Sequence, residues 1–343
     1  MTLPVFFFFL FFFLIPSFQQ AFKMSQPIYN ALPIWQEIPE KFKMTIVKHL
    51  DFESRFRLRQ CSVSDKELVD KCPIIIKSIF VVNARDDEIS VVIRVKHPSA
   101  YYLFTLRRTT SMSCVHKFIR IPNVTILKFG IEYKILPLFL EKLSKDNKTK
   151  MNIEIVHFQG GDHAVDNSVL EFLGHLGTDC KKFIFDGTCD SETIEKWVKM
   201  AQWKSATGIC FPHWNSLKLT HFLHCNSLRL ALKKLDSKDA TALIETFINK
   251  KVFKYDSTFF QIYTDTPMNV EEVLLENNDD LKPKLTNVHE YNYGSIRVQK
   301  FKLANYFSDD LVLVVKATPY MLAGSVCRIG AHLVEDFMDS HYL

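Results

Sequence analysis

The chain has 343 residues, 43 of them basic and 38 acidic, for a formal charge of +5, and 47% are hydrophobic. That is the ordinary mix of a soluble globular protein, long enough to bury a substantial core as one large domain plus a small module or as two mid-sized domains. It excludes a disulfide-stapled mini-domain, and the mild charge, with no dense basic stripe, does not call for nucleic acid.

Residues 1–23 form an apolar leader. Val5 to Phe18 spans 14 residues and holds eight of the 30 phenylalanines. Its length suits a signal-peptide core and is short for a membrane span. Against a signal, no Lys or Arg precedes the run, and Ser17-Phe18-Gln19-Gln20-Ala21 is a poor cleavage site. The other reading is a translated pyrimidine tract and splice acceptor, because phenylalanine codons are T-rich and glutamine can be CAG; Met24 would then be the true start. Under secretion, Asn123-Val-Thr125 and Asn147-Lys-Thr149 would be glycosylation acceptors. In the cytosol they carry no meaning.

From Leu32 to about Lys77 the pattern is helical with short loops. Trp35 and Ile38-Pro39-Glu40 open it, and Pro39 suits a first helical turn. Phe42, Ile46, Val47 and Leu50 follow at helical spacing. Asp51 ends this helix and caps a second that carries Phe52, Phe56 and Leu58 with Arg55, Arg57 and Arg59 interleaved. Ser64-Asp-Lys-Glu67 has the form of a capping box for a third helix bearing Leu68 and Val69. Cys72-Pro73 stops it.

After Pro73 the period changes. Ile74–Ile76, Ile79–Val82, Val91–Val95 and Tyr101–Leu106 predict strands. Strand then alternates with helix: strand at 124–129, helix at 136–143, strand at 152–158, helix at 166–176, strand at 182–186, helix at 191–201. Leu217–Leu219 and Ser227–Leu232 predict strands, and Ser237–Ile248 a capped helix. This alternation, from about residue 120 to 250, predicts an irregular repeat of strand and helix. Asn277–Asn287 predicts a polar loop, and Ile296–Leu303 and Leu311–Ala317 late strands.

The N-terminal pattern resembles an F-box. Trp35, Ile38-Pro39-Glu40, Ile46-Val47, Leu50-Asp51, Ser54-Arg55, Leu58-Arg59, Cys61-Ser62 and Leu68-Val69 carry the resemblance. Ile38 replaces the family's usual Leu before Pro, and Lys66 stands where an aromatic is usual. The run from Ser216 to Ile248 resembles the F-box-associated domains of the expanded nematode F-box families, of the FTH type or another. The fold expected is therefore α/β: a small three-helix F-box module at 32–77, then an irregular, leucine-rich-like strand–helix repeat domain at 78–335. The resemblance implies that Ile38, Pro39, Ile46, Leu50 and Leu58 pack on a Skp-type adaptor, which binds a cullin–RING ubiquitin ligase. A unit of this size cannot bury all its apolar surface alone, so such a patch seeks a partner.

Motifs for chemistry are sparse. The eight cysteines, at 61, 72, 114, 180, 189, 210, 225 and 327, are widely spaced and predict reduced thiols in the cytosol. Cys210-Phe-Pro-His213 with His221-Phe-Leu-His224-Cys225 offers soft zinc ligands, at spacings that match no standard finger. Gly160-Gly161-Asp162-His163 predicts a turn with a polar tip. Asp86-Asp87-Glu88 and Asp279-Asp280 predict solvated loops. Trp197, Trp203 and Trp214 suit either core or a recognition surface. Neither Gly-x-Ser-x-Gly nor a phosphate loop is present. No metal and no cofactor is expected. The expectation is a non-enzymatic, cytoplasmic or nuclear subunit of an SCF-type ligase that recruits an unknown protein target. The alternative is a secreted or membrane-tethered repeat protein that binds partners outside the cell, should the leader act as a signal.

Overall fold

A computed structural model describes residues 35–85, 88–95, 101–107, 115–116, 119, 121, 123–143, 150–160, 166–215, 217–251, 258–274, 296–304 and 311–328. The leader, Cys114, Asn147, Asp86-Asp87, Gly161-Asp162-His163 and the 277–287 loop lie outside them. The chain divides into two compact units, with Ser54–Val69 in the first and Asp70 onward in the second.

The first unit is helical. A single 3-10 turn, Trp35–Glu37, precedes α1 (Glu40–His49), α2 (Phe52–Cys61) and α3 (Val63–Lys71). Pro39 sits at the N-cap of α1, and its carbonyl accepts from the amides of Phe42 and Lys43 at 2.9 and 3.1 Å. Arg55 serves the other end: its Nε donates to the Leu50 carbonyl and its Nη2 to that of Lys48. It thereby satisfies acceptors that a helix terminus leaves open. The cap of α3 falls two residues earlier than the sequence suggests. Ser62, not Ser64, accepts from the Asp65 amide at 3.0 Å, and its hydroxyl donates to the Asp65 carboxylate at 2.7 Å. Trp35 Nε1 donates to the same carboxylate at 2.7 Å, tying the opening turn to α3.

The second unit is built on one twelve-stranded sheet in the order β10-β11-β12-β9-β8-β7-β6-β5-β4-β1-β2-β3. Its strands are β1 (Ile74–Arg85), β2 (Glu88–Val95), β3 (Tyr101–Arg107), β4 (Val124–Glu132), β5 (Ile153–Gln159), β6 (Lys182–Phe185), β7 (Gly208–Asn215), β8 (Ser227–Leu232), β9 (Phe259–Thr264), β10 (Arg297–Lys302), β11 (Leu311–Thr318) and β12 (Met321–Arg328). From β1 through β4 to β9 neighbours run parallel. Antiparallel ribbons flank this block, β2–β3 on one side and β12–β11–β10 on the other. Parallel neighbours need crossovers. These are α4 (Leu136–Leu143), α5 (Asn167–Gly174), α6 (Ser191–Trp197) with α7 (Ala201–Ser205), a 3-10 turn at Leu219–His221, and α8 (Ser237–Asn249); a short α9 (Val270–Val273) follows β9. Asp166, Asp190 and Asp236 each accept a backbone N–H at the start of a helix.

The strand–helix succession expected from sequence is thus present, with four local corrections. The two isoleucine-rich runs after Pro73 form the single strand β1. Residues 217–219 are not a strand; the strand of that repeat is β7, upstream. The helix expected at 191–201 breaks into α6 and α7, separated by the turn ending at Met200. Strands β9 and β12 add to the two expected late in the chain.

A six-residue pattern sets the core of the parallel block. A buried residue opens each unit: Ile126, Ile153, Cys180, Ala206 and Cys225. Three positions later a buried residue, an intervening residue and a second buried residue follow: Phe129-Gly130-Ile131, Val156-His157-Phe158, Phe183-Ile184-Phe185, Ile209-Cys210-Phe211, Leu228-Arg229-Leu230. The parallel register stacks equivalent rings. Phe185 lies 5.3 Å from Phe158 and 4.5 Å from Phe211, and 4.8 Å from Trp197 of α6. Phe172 of α5 meets Phe129 and Phe158 at 5.8 and 5.5 Å.

Candidate functional site: an apolar helix face and a polar sheet face

Each unit presents one surface that its own packing does not consume. Phe42 and Ile46 on α1, with Pro39 and Leu50 at its two caps, recur at three- and four-residue intervals and so form a stripe. Phe42 is 64% exposed and Ile46 41%, while Val47, on another side, is buried. Val63, at the start of α3, is 75% exposed. Of the five residues singled out by the F-box resemblance, Pro39, Ile46 and Leu50 lie on this stripe. Ile38 precedes it and is half-buried, and Leu58 is half-buried on α2. Phe42 and Val63 were not among the five. Phe42 fits the helical period, and that period alone does not say which side meets solvent.

On the parallel sheet, the residues between the buried positions form rows across the strands. One row runs Lys128, Ile155, Lys182, Gly208, Ser227. The next runs Phe80, Gly130, His157, Ile184, Cys210, Arg229, Gln261. Their non-glycine members are half-exposed. The two glycines make room for neighbours: a Cβ on Gly130 would come 2.3 Å from the Phe80 ring, and one on Gly208 would meet Ser227 Oγ and Lys182 Cγ. Lys128 Nζ lies 5.5 Å from the centre of the Phe80 ring. His157 Nε2 pairs with Asp186 at 2.8 Å, and Arg229 Nε donates to Gln261 Oε1 at 3.0 Å. Burial lowers the pKa of Lys182, and Lys128 and Arg229, both cations, lower it further; only the Cys210 thiol acts the other way.

Of the sequence's zinc candidates, His221, His224 and Cys225 have partners within the protein. Cys210 lies in the sheet row, and burial holds its thiol up at about 11. His221 Nε2 meets Glu195 at 3.3 Å, and His224 Nε2 meets the Trp203 carbonyl at 3.0 Å. Cys225 is fully buried, with a thiol pushed up to about 12. Among the described residues no group of three or more His, Cys, Asp or Glu could hold a metal ion. The seven described cysteines are free thiols. Trp197 and Trp203 are core: both are buried, 5.9 Å apart, and Trp203 donates to the His221 carbonyl. The side chain of Trp214 is outside the described residues.

Two family models match the chain, the F-box domain over residues 35–77 and the FTH domain over residues 138–277. The chain has the F-box plus FTH architecture of nematode-type F-box proteins. The helical unit that carries the α1 stripe is the F-box, and the FTH match runs from α4 to beyond α9, taking in the parallel strands β5–β9. No curated protein and no solved structure matches the chain. An F-box implies in general a substrate-adaptor role in an SCF-type ubiquitin ligase through a Skp-type adaptor, and F-box proteins are typically non-enzymatic. Among the described residues no helix is long and apolar enough to cross a membrane.

Proposed function

We propose that this protein recruits a protein target to an SCF-type cullin–RING ligase in the cytoplasm or nucleus. In this reading the F-box docks on a Skp-type adaptor through Ile38, Pro39, Ile46, Leu50 and Leu58, joined by Phe42. The domain from residue 78 to 335, with its leucine-rich-like succession of strands, holds the target and does no chemistry. The carrying observation is the α1 stripe, where Phe42 and Ile46 stay exposed in a unit that buries few of its own side chains. Exposed aromatic and aliphatic anchors of this kind dominate protein interfaces. The test is co-purification of the full chain with a Skp-type adaptor. Leu50→Asp and Ile38→Asp are expected to abolish retention; retention equal to wild type sinks the F-box docking.

The second reading, a secreted or tethered binder, rests on the apolar run from Val5 to Phe18. Of its two glycosylation acceptors, Asn123 is exposed, with its side-chain Nδ2 donating to the Asp70 carbonyl. A mass decrease on glycosidase treatment of the native protein would favour the secreted reading. A native N-terminus at Met24 would remove its basis.

A further inference from the structure

We propose that the half-exposed face of the parallel sheet binds an extended, carboxylate-rich segment of the recruited protein. This deepens the target-holding half of the reading above and rests on it, but not on the F-box half.

The argument is one of charge and spacing. Lys128 on β4 and Lys182 on β6 occupy the same register row with Ile155 of β5 between them. They stand two strands apart, roughly 10 Å at the usual strand separation. Arg229 lies two strands further, on β8, in the adjoining row. Two acids lie on the same face one row beyond: Asp186, bonded to His157 Nε2 at 2.8 Å, and Glu132, in register with Gln159; Glu154 pairs with Lys181 at 3.2 Å, so the positive stretch is the row of Lys128 and Lys182. Lys182 is the focus. Burial makes its positive charge costly, and the cations Lys128 and Arg229 add to that cost, partly offset by the Cys210 thiol. A carboxylate placed over the row would relieve both neighbours at once. The half-exposed Ile155, between Lys128 and Lys182, and Ile184, beside Lys182 on β6, supply apolar contact, so a chain alternating acidic and aliphatic side chains complements the face.

The same features disfavour other anions. Phosphate recognition favours a free guanidinium fork, and Arg229 has its Nε committed to Gln261. Single-stranded nucleic acid favours aromatic stacking platforms along a basic groove, whereas Ile155 separates Lys128 from Lys182, Cys210 separates β6 from Arg229, and the Phe80 ring already has Lys128 over it.

The experiment uses the full chain co-purified with its Skp-type adaptor and a fluorescein-labelled synthetic peptide of alternating Glu and Ile, followed by anisotropy. The peptide is expected to bind, to weaken as salt rises, and to weaken about tenfold or more with the Lys128→Glu/Lys182→Glu pair. Lys182→Met, which keeps the side chain's volume, guards against misfolding and is expected to give a smaller loss with an unchanged circular dichroism spectrum. Equal binding by the paired variant, equal binding of a Lys–Ile peptide, or displacement of the peptide by a single-stranded oligonucleotide overturns the proposal. Adaptor retention is scored on the same samples. Adaptor bound with no peptide affinity sinks this inference alone; peptide affinity with the adaptor lost sinks the F-box docking alone.

Discussion

The two units treat apolar surface in opposite ways. In the sheet domain the largest fully buried side chains, Trp197, Trp203 and a set of phenylalanines from Phe129 to Phe260, stack across successive strands and helices. In the much shorter helical unit, up to Val69, the buried apolar residues among those described are Val47, Leu68 and Val69, while Phe42, Ile46 and Val63 face solvent. A small unit has too little interior to close a core around every large side chain. What remains outside is free for a partner. A fold can thus be read for docking by asking where apolar area is left over, and the answer differs between two halves of one chain.

That comparison breaks most directly at Phe185, whose ring touches Phe158, Trp197 and Phe211. Phe185→Ala should cost about 3–5 kcal/mol, seen as a large fall in the urea midpoint. Phe42→Ala should change stability by no more than about 0.5 kcal/mol. It should nevertheless weaken adaptor retention by about tenfold or more. Equal stability losses from the two would erase the distinction between the units.

Gly130→Ala sharpens it from the sheet side. The new methyl would meet the Phe80 ring, so a cost of about 1–3 kcal/mol is expected in denaturant melts, unless Phe80 swings off the row. A smaller effect is expected in the F-box. Ser62→Ala removes the cap of α3 and the bond to Asp65, for about 1 kcal/mol. Ser64→Ala is the control: it removes only an exposed hydroxyl contact to Ser62 at 3.0 Å and leaves the Asp65 amide capped, so its cost should be the smaller. The reverse order in thermal melts would restore the capping box first expected at Ser64.

The confusion over that cap shows what a sequence does and does not carry. Ser62 and Ser64 each have an acid three residues on, so local chemistry offers two overlapping boxes, and only packing selects one. Helix α4 had no rival and falls where its period put it, at Leu136–Leu143. Strand β7 was missed because Pro212 and His213 interrupt its pattern; the sheet accommodates them with a register shift between Phe211 and Trp214. The repeat's opening position was hidden because Cys180, Ala206 and Cys225 fill it where a large aliphatic would have announced it. The period of the stripe was legible, because its residues sit along or next to one helix. The cationic patch was not: Lys128, Lys182 and Arg229 come from three strands, and only the parallel register makes them neighbours.

The smallest expected effect is a titration within the sheet domain. Lys250 Nζ donates to the Cys225 carbonyl and lies 3.8 Å from the centre of the Phe247 ring. Burial lowers its pKa from 10.5 to about 8. Above pH 8 the folded chain begins to release this proton while the unfolded chain keeps it, so Lys250 makes stability rise with pH up to about 10.5. Below pH 8 both states hold the proton and the slope vanishes. Cys225 acts in the opposite sense around pH 9 and above, because burial raises its thiol from 9 to about 12 and only the unfolded chain ionises in that range. The other buried thiols act in the same sense as Cys225, and all begin to do so below pH 9, so the lysine is isolated by the difference from Lys250→Met, which cancels them. From about pH 8 to 9, wild type should gain up to about 1 kcal/mol relative to Lys250→Met in urea melts. Parallel curves would mean that the ammonium keeps its full hydration, and that the sheet domain, like the F-box, leaves open a surface that the packing around Lys250 closes.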